Sequence, residues 1–333
     1  MALPSELRSL LGLVEERRAR HERDEVVRLV AGARDGHPGC WVDQLGELCV
    51  LALYGALPVD PERQRDELAA ALRASGLEHW IWKQRNAAGG YTYLFSAPAL
   101  REQRFVAREG ELRFEIRCDP KDDFGVFTDA AAARTLVASL ARGLRVLNLF
   151  SYTGGFALAA LRGGATQVTN VDASKPMLTW SKRNAEWNGV DFAVVPDTAQ
   201  RYLRRLVERK AAGKDHPFDV IILDPPAFGV GRGDERILRK AWPEMLRCVA
   251  ALEPAHVLLA FNDFAYRRCE PIDALVEQHF ARGWKLRWLD DAGEPLRDRR
   301  LLASSADPNY APPVFAHLAR ASLSEGKVPP TAQ

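Results

Sequence analysis

Long apolar runs are missing from this 333-residue chain, and so is an excess of charge of either sign. No uninterrupted apolar stretch approaches the roughly 20 residues that span a bilayer, so no membrane contact is expected. The opening residues, MALPSELRSLLGLVEERR, lack the basic-then-apolar order of a secretory signal, which points to a cytoplasmic location. Cysteine is scarce. Cys40, Cys49, Cys118, Cys248 and Cys269 make an odd set with no CxxC spacing, which argues against a disulfide framework and a structural zinc site. Neither GxGxxG nor GxxxxGK[ST] occurs, so a dinucleotide is disfavoured and a P-loop is excluded. Repeats and low-complexity segments are absent as well.

What is there is ordinary globular material, 47% hydrophobic and 27% charged, enough for one large domain or two smaller ones. Lys and Arg number 46 against 44 Asp and Glu, a formal charge of +2. That sum neither requires nor excludes nucleic acid; the arrangement of charge matters more. Basic clusters occur at Arg17, Arg18, Arg20 and Arg23, at Arg201, Arg204, Arg205, Arg209 and Lys210, and at Arg297, Arg299 and Arg300. Each reads first as a solvated face, and the three together raise RNA binding only modestly.

From Leu144 to Arg320, short strand-like runs alternate with longer amphipathic ones, the pattern of a parallel sheet with crossover helices. Strands are predicted at 145–150, 167–172, 192–197, 218–224, 256–262, 284–290 and 314–320. Helices are predicted at 155–162, 175–188, 198–212, 235–252 and 271–282. Only a turn-rich stretch from Asp291 to Pro313 joins the last two strands, so they should be antiparallel neighbours. The first 143 residues predict a small α+β domain. It has a charged helix over 5–24, a second helix over 61–75, and strands at 26–30, 40–45, 48–54, 79–83, 91–96, 104–109 and 112–117. The expected division is a domain over 1–118, a connecting segment over 119–143, a sheet domain over 144–321 and a frayed tail over 322–333.

In an open parallel sheet, ligands bind at the carboxyl ends of the strands. Ser151-Tyr152-Thr153-Gly154-Gly155 follows the first strand of the sheet domain, and its glycines let backbone approach a ligand closely. Asp172 ends the second strand, where an acid can accept hydrogen bonds from ribose hydroxyls. Asp197 ends the third and could bond an adenine amine; Asp224 ends the fourth, before Pro225, Pro226, Ala227 and Phe228. Singly, each Asp is more often a turn former or helix N-cap. In order on successive strands, they are hard to obtain by chance.

NLFSYTGGFALAAL, NVDAS and DPPAF together resemble the class I S-adenosylmethionine-dependent methyltransferases, and more narrowly the 23S rRNA cytosine-C5 methyltransferase I family. RLVAGARDGHPGCWVDQLGE (28–47) is similar to that family's central RNA-binding domain, and FGVFTDAAAAR (124–134) resembles a segment that lies near the cofactor in the family. The resemblance covers residues 10 to 320. It implies an α/β fold, a seven-stranded Rossmann-like methyltransferase sheet with a smaller N-terminal α+β domain that binds RNA or substrate. It implies S-adenosyl-L-methionine as cofactor, RNA (ribosomal RNA first) as partner, and a homodimer. Phe150, Ser151, Tyr152, Thr153 and Gly154 should line the methionine end of the cofactor. Asp172 with Ala173 should hold the ribose, and Asp197 with Thr198 the adenine edge. Asp224 should face the methyl group and substrate, and Asp129 and Arg134 should lie near the cofactor.

Two departures bear on chemistry. Family members usually begin with a PUA domain, for which there is no room before residue 10; this weakens the ribosomal assignment. The family's catalytic Cys is also missing. Cytosine C5 is a poor nucleophile, and C5 enzymes first add a Cys thiolate to C6. Where the family keeps that Cys, after the fifth strand, this chain reads Phe261-Asn262-Asp263-Phe264. Cys269, beside Arg267 and Arg268, is expected to start the next helix facing the wrong way. Asn262-Asp263 instead resembles the S-N-N of a guanine-N7 methyltransferase. The expected reaction is therefore methylation of an RNA base at nitrogen, with Asp224, Pro225, Phe228, Asn262 and Asp263 around the substrate. Phe228 is as readily a core residue as a stacking one, and Asn262 and Asp263 could be strand-end turn formers. A small molecule or protein is the alternative acceptor, and a non-catalytic RNA- or cofactor-binding protein the second alternative.

Overall fold

The computed structural model describes residues 4–54, 60–85, 90–214, 217–226, 234–262, 272–280, 283–295 and 313–320. They form two compact units. The first carries the strands β1 (Val26–Ala31), β2 (Cys40–Leu45), β3 (Leu48–Leu53), β4 (His79–Arg85), β5 (Tyr91–Phe95), β6 (Arg104–Glu109) and β7 (Leu112–Arg117). β1 to β5 make a sheet in chain order, antiparallel except for β3 beside β4. That one parallel pair needs a crossover, and helix α2 (Arg65–Ala74) lies between its strands in sequence. Helix α1 (Ser5–Arg18) buries Leu7, Leu10, Leu11 and Val14, an i, i+3, i+4, i+7 stripe. α2 adds Leu68 and Leu72, and both helices share a core with Cys40, Val42, Leu51, Trp80 and Trp82. The helix expected over 5–24 stops at Arg18, because between Val14 and Val26 only Ala19 is apolar, too small to continue the stripe. Arg17 then closes the turn, donating to the Leu29 carbonyl and bidentately to Asp35 at 2.8 and 2.6 Å. β6 and β7 form a separate hairpin through Gly110.

The segment over 119–143 contains helix α3 (Ala131–Leu140), which sequence periodicity did not pick out. Its inward residues include Ala133 and Val137, too small to mark an amphipathic stripe.

The second unit holds β8 (Arg145–Leu149), β9 (Gln167–Asp172), β10 (Ala193–Pro196), β11 (Val220–Leu223), β12 (His256–Asn262), β13 (Trp284–Leu289) and β14 (Pro313–Arg320). The helices α4 (Gly155–Arg162), α5 (Lys175–Trp187), α6 (Ala199–Ala211), α7 (Asp234–Leu252) and α8 (Ile272–Phe280) alternate with them. Sheet order is β10-β9-β8-β11-β12-β14-β13. Every pair is parallel except those of β14, which runs antiparallel to β13, as expected, and also to β12. The fold class read from the sequence is thus the one observed. Most of the turn-rich stretch before β14, and the tail, lie outside the described residues. On one face, Leu147, Leu149, Leu223 and Val257 pack with Leu203 and Leu206 of α6 and Met245 and Val249 of α7. Chain order reverses between β8 and β11, the switch point at which open α/β sheets bind ligands. No described helix is long and apolar enough to cross a membrane.

His317 of β14 sits in this sheet with its ring nitrogen 3.4 Å from that of His256 on β12. Burial first, then His256 and the Arg287 guanidinium, push the His317 pKa down to about 4; burial also lowers that of His256. The unfolded ring titrates near 6.5, so the stability gained by keeping His317 neutral is complete above that pH. It is lost as pH falls toward 4, on the order of 3 kcal/mol in all. Urea midpoints should therefore drop between pH 7.5 and 5, and His317→Gln should flatten that drop. An equally steep drop in the variant would place the pH sensitivity elsewhere.

Candidate active site

The loop after β8 has unusual backbone. Phe150, Tyr152 and Gly154 adopt left-handed φ values of 57°, 48° and 85°. For a non-glycine residue this costs roughly 1–2 kcal/mol and persists only where the surroundings over-determine it. Here they do. Asp172, at the end of the neighbouring strand β9, accepts the Tyr152 N–H on one carboxylate oxygen at 2.9 Å and the Ser174 N–H on the other at 2.8 Å. The Ser151 N–H donates to the Val171 carbonyl, and Asn184 of α5 donates to the Thr153 carbonyl at 3.0 Å. The Tyr152 ring lies 6.1 Å from Trp180, and Phe150 packs on the core. A Cβ built on Gly154 would sit 3.0 Å from Ser181 Cβ and from Asn170 Nδ2, so the glycine meets both a conformational and a packing demand.

β9 and β10 end together, since the Asp197 N–H donates to the Asp172 carbonyl at 3.1 Å. The Asp197 side chain is 7% exposed. One of its oxygens accepts the Thr198 N–H at 2.8 Å. The other is buried with no aligned hydrogen bond, although Arg205 Nη2 lies 2.5 Å away as an ion pair. Arg201 Nε stands 3.5 Å from the first oxygen. Thr198 is the N-cap of α6, its side chain accepting the Arg201 N–H. The Ser151 hydroxyl is buried with no hydrogen-bond partner among the described residues.

Register extends the row. Leu149 pairs with Val171 on one side and Leu223 on the other, so Phe150 and Asp224 leave adjacent strands at the same level. Asp224 is half-buried and Pro225 buried. Asn262 ends β12 opposite Pro313, three residues beyond the Leu259–Leu223 pair. Phe228, Asp263 and Cys269 lie outside the described residues. Ala173 is exposed beside Asp172. Asp129 belongs to the other unit, 3.7 Å from Arg28, whereas Arg134 is buried on α3 at 4% exposure. Among the described residues no group of acids, His and Cys could hold a metal.

Sequence reasoning missed the polar pair behind the loop. Asn148 and Asn170 face each other across β8 and β9, fully buried, with Asn148 Nδ2 donating to Asn170 Oδ1 at 2.8 Å. The available signal was an Asn inside each of two apolar strands. The arginines on Asp197 were also missed, because a helical charge run reads as a solvated face.

A strand-end row of this kind, closed by a strained loop at the switch point, suits a nucleoside with a polar tail. The Ser151 hydroxyl, buried without a hydrogen-bond partner among the described residues, and the Arg205-paired carboxylate of Asp197 are the polar groups this row presents. The chain belongs to the S-adenosylmethionine-dependent methyltransferase family, whose model matches residues 62–281. It is similar to a ribosomal RNA large subunit methyltransferase of Deinococcus radiodurans, 30% identical over 290 residues that cover 85% of this chain and 68% of that one. It is also similar to the ribosomal RNA large subunit methyltransferase I of Cronobacter sakazakii, 31% identical over 242 residues, 71% of this chain. The match spans only 60% of the Cronobacter protein's length. A solved Streptococcus mutans structure assigned to the same class shares the fold, with a TM-score of 0.67 at 21% identity over 96% of this chain and 83% of that one.

Gly154→Ala should destabilise the protein by about 1–2 kcal/mol from the left-handed φ alone, with the Ser181 and Asn170 contacts adding to it. Urea unfolding checks this, and an unchanged midpoint would show that the loop is not held as described.

Proposed function

We propose that this enzyme methylates a base of RNA, ribosomal RNA first, at a nitrogen atom rather than at cytosine C5. The RNA part rests on the two large-subunit rRNA methyltransferases to which the chain is similar. The choice of atom rests on the cysteines. C5 transfer needs a thiolate. Cys40, Cys49 and Cys118 are buried in the first unit, and burial pushes the thiols of Cys49 and Cys118 up to about 12. Cys248 lies on α7, its pKa also raised by burial. None of the three with a shifted pKa is activated, and Cys269, which follows β12, lies outside the described residues. Asn262-Asp263, standing where the resembled family keeps its Cys, supports the nitrogen reading.

Bound S-adenosylmethionine supplies an electrophilic methyl group on a sulfonium sulfur. The chain's own part is positioning. Asp172 spends one lone pair per oxygen on the Tyr152 and Ser174 N–H groups and keeps others for the ribose hydroxyls. The Asp197 carboxylate, beside its Arg205 ion pair, accepts from the adenine amine, and the Ser151 hydroxyl bonds the methionine end, with Phe150, Tyr152, Thr153 and Gly154 around it. Ala173 and Thr198 flank the ribose and adenine. Asp224 and the Pro225 carbonyl receive the N–H of an exocyclic amine, while Phe228, Asn262 and Asp263 contact the base. A ring nitrogen such as guanine N7 carries its own lone pair and needs no base.

Nucleoside mass spectrometry of ribosomal RNA from cells with and without the gene product tests this reading. An N-methylated nucleoside should disappear with the gene; loss of 5-methylcytidine would overturn the nitrogen assignment. RNA carrying 5-fluorocytidine should form no covalent complex with the enzyme.

Asp172→Ala orphans two backbone N–H groups and removes the ribose acceptor, a loss of about 1–3 kcal/mol. Calorimetry should show S-adenosylmethionine affinity reduced tenfold or more. Unchanged affinity in a folded variant would move the ribose site elsewhere.

A further inference from the structure

Helix α6 carries five cations, and most are committed. Arg201 and Arg205 flank Asp197, Arg204 pairs with Glu244, and Lys210 bonds Glu253 and the Ala251 carbonyl. Arg209 is different. Exposed one helical turn beyond Arg205, it shares an open cleft of about 620 Å³ with Lys214. Neither Arg209 nor Lys214 has an ion-pair partner among the described residues. Tyr202 forms one wall, half-buried, its ring 6.5 Å from Phe218 and under the Arg205 guanidinium at 5.5 Å. Glu208 is the single carboxylate against three cations in the lining.

We propose that this cleft is a docking site for the phosphodiester backbone of the RNA substrate, an inference that rests on the RNA reading above. Charge complementarity argues for it: uncommitted cations in an open groove beside an aromatic wall are the combination that tracks a single-stranded nucleic acid. Arg205 joins the cleft to Asp197, so strand and cofactor contacts would meet on one helix. The basic run that reads as a solvated face in the sequence would then be a strand-holding face.

The test is binding of a fluorescein-labelled 20-nucleotide single-stranded RNA of mixed sequence. Wild-type enzyme is compared with Arg209→Gln/Lys214→Gln, whose sites lie outside the cofactor row. The double variant should bind about tenfold more weakly at moderate salt. Its log–log salt slope should be shallower by about 1.4, two phosphate contacts at about 0.7 each on a single strand. Calorimetry should show S-adenosylmethionine affinity unchanged, which establishes that the variant is folded. If wild type binds the RNA steeply with salt and the variant matches it, the cleft proposal is overturned while the RNA reading stands. If wild type neither binds RNA nor transfers methyl to it, both fall. If labelled polyglutamate binds in place of RNA and loses affinity in the variant, the cleft serves an acidic protein and the proposal is overturned.

Discussion

The carboxylate of Asp172 is the constraint on which the rest of the site depends. It accepts one backbone N–H from the loop after β8 and one from the turn into α5. The carbonyl of the same residue takes the Asp197 N–H. One residue therefore sets three strand ends against one another. These bonds help hold Tyr152 at a left-handed φ that costs a side-chain-bearing residue free energy, together with the Ser151–Val171 and Asn184–Thr153 bonds of the same loop. The turn-forming role of a strand-end Asp and the ligand-holding role proposed for it are not alternatives. A carboxylate has enough lone pairs for both, and the first orients it for the second.

The surroundings are polar where a purely structural sheet would be apolar. Asn148 and Asn170 bond each other behind the loop, yet Asn148 Oδ1 and Asn170 Nδ2 have no hydrogen-bond partner among the described residues. Gly154 packs within contact of that amide. Buried polar groups with missing partners cost stability, and such a cost concentrates near sites that bind polar ligands. The histidine pair at the other side of the sheet is a separate case, held neutral by burial between β12 and β14.

On the far side of the row, α6 answers two needs at once. Its inward face, Leu203 and Leu206, anchors the core beneath β9 and β11, while its arginines reach back to Asp197. An anion buried to 7% exposure needs compensation, and two guanidiniums from successive turns supply it. The helix thereby couples packing to the electrostatics of the candidate cofactor site.

The strands and most helices were legible in the sequence because their apolar periodicities are strong, and the glycine loop, Asp172, Asp197 and Asp224 were legible because they follow strands in order. α3 was not, since small residues leave no stripe, and the first helix ends six residues short of its charged run because the charge continues past its apolar face. Residue order alone determined the sheet class and the candidate row. Only the tertiary structure decided which backbone groups Asp172 holds, that arginines of α6 confront Asp197, and that two asparagines meet across β8 and β9. Those are contacts between residues distant in the chain, set by register and packing, which local pattern does not encode.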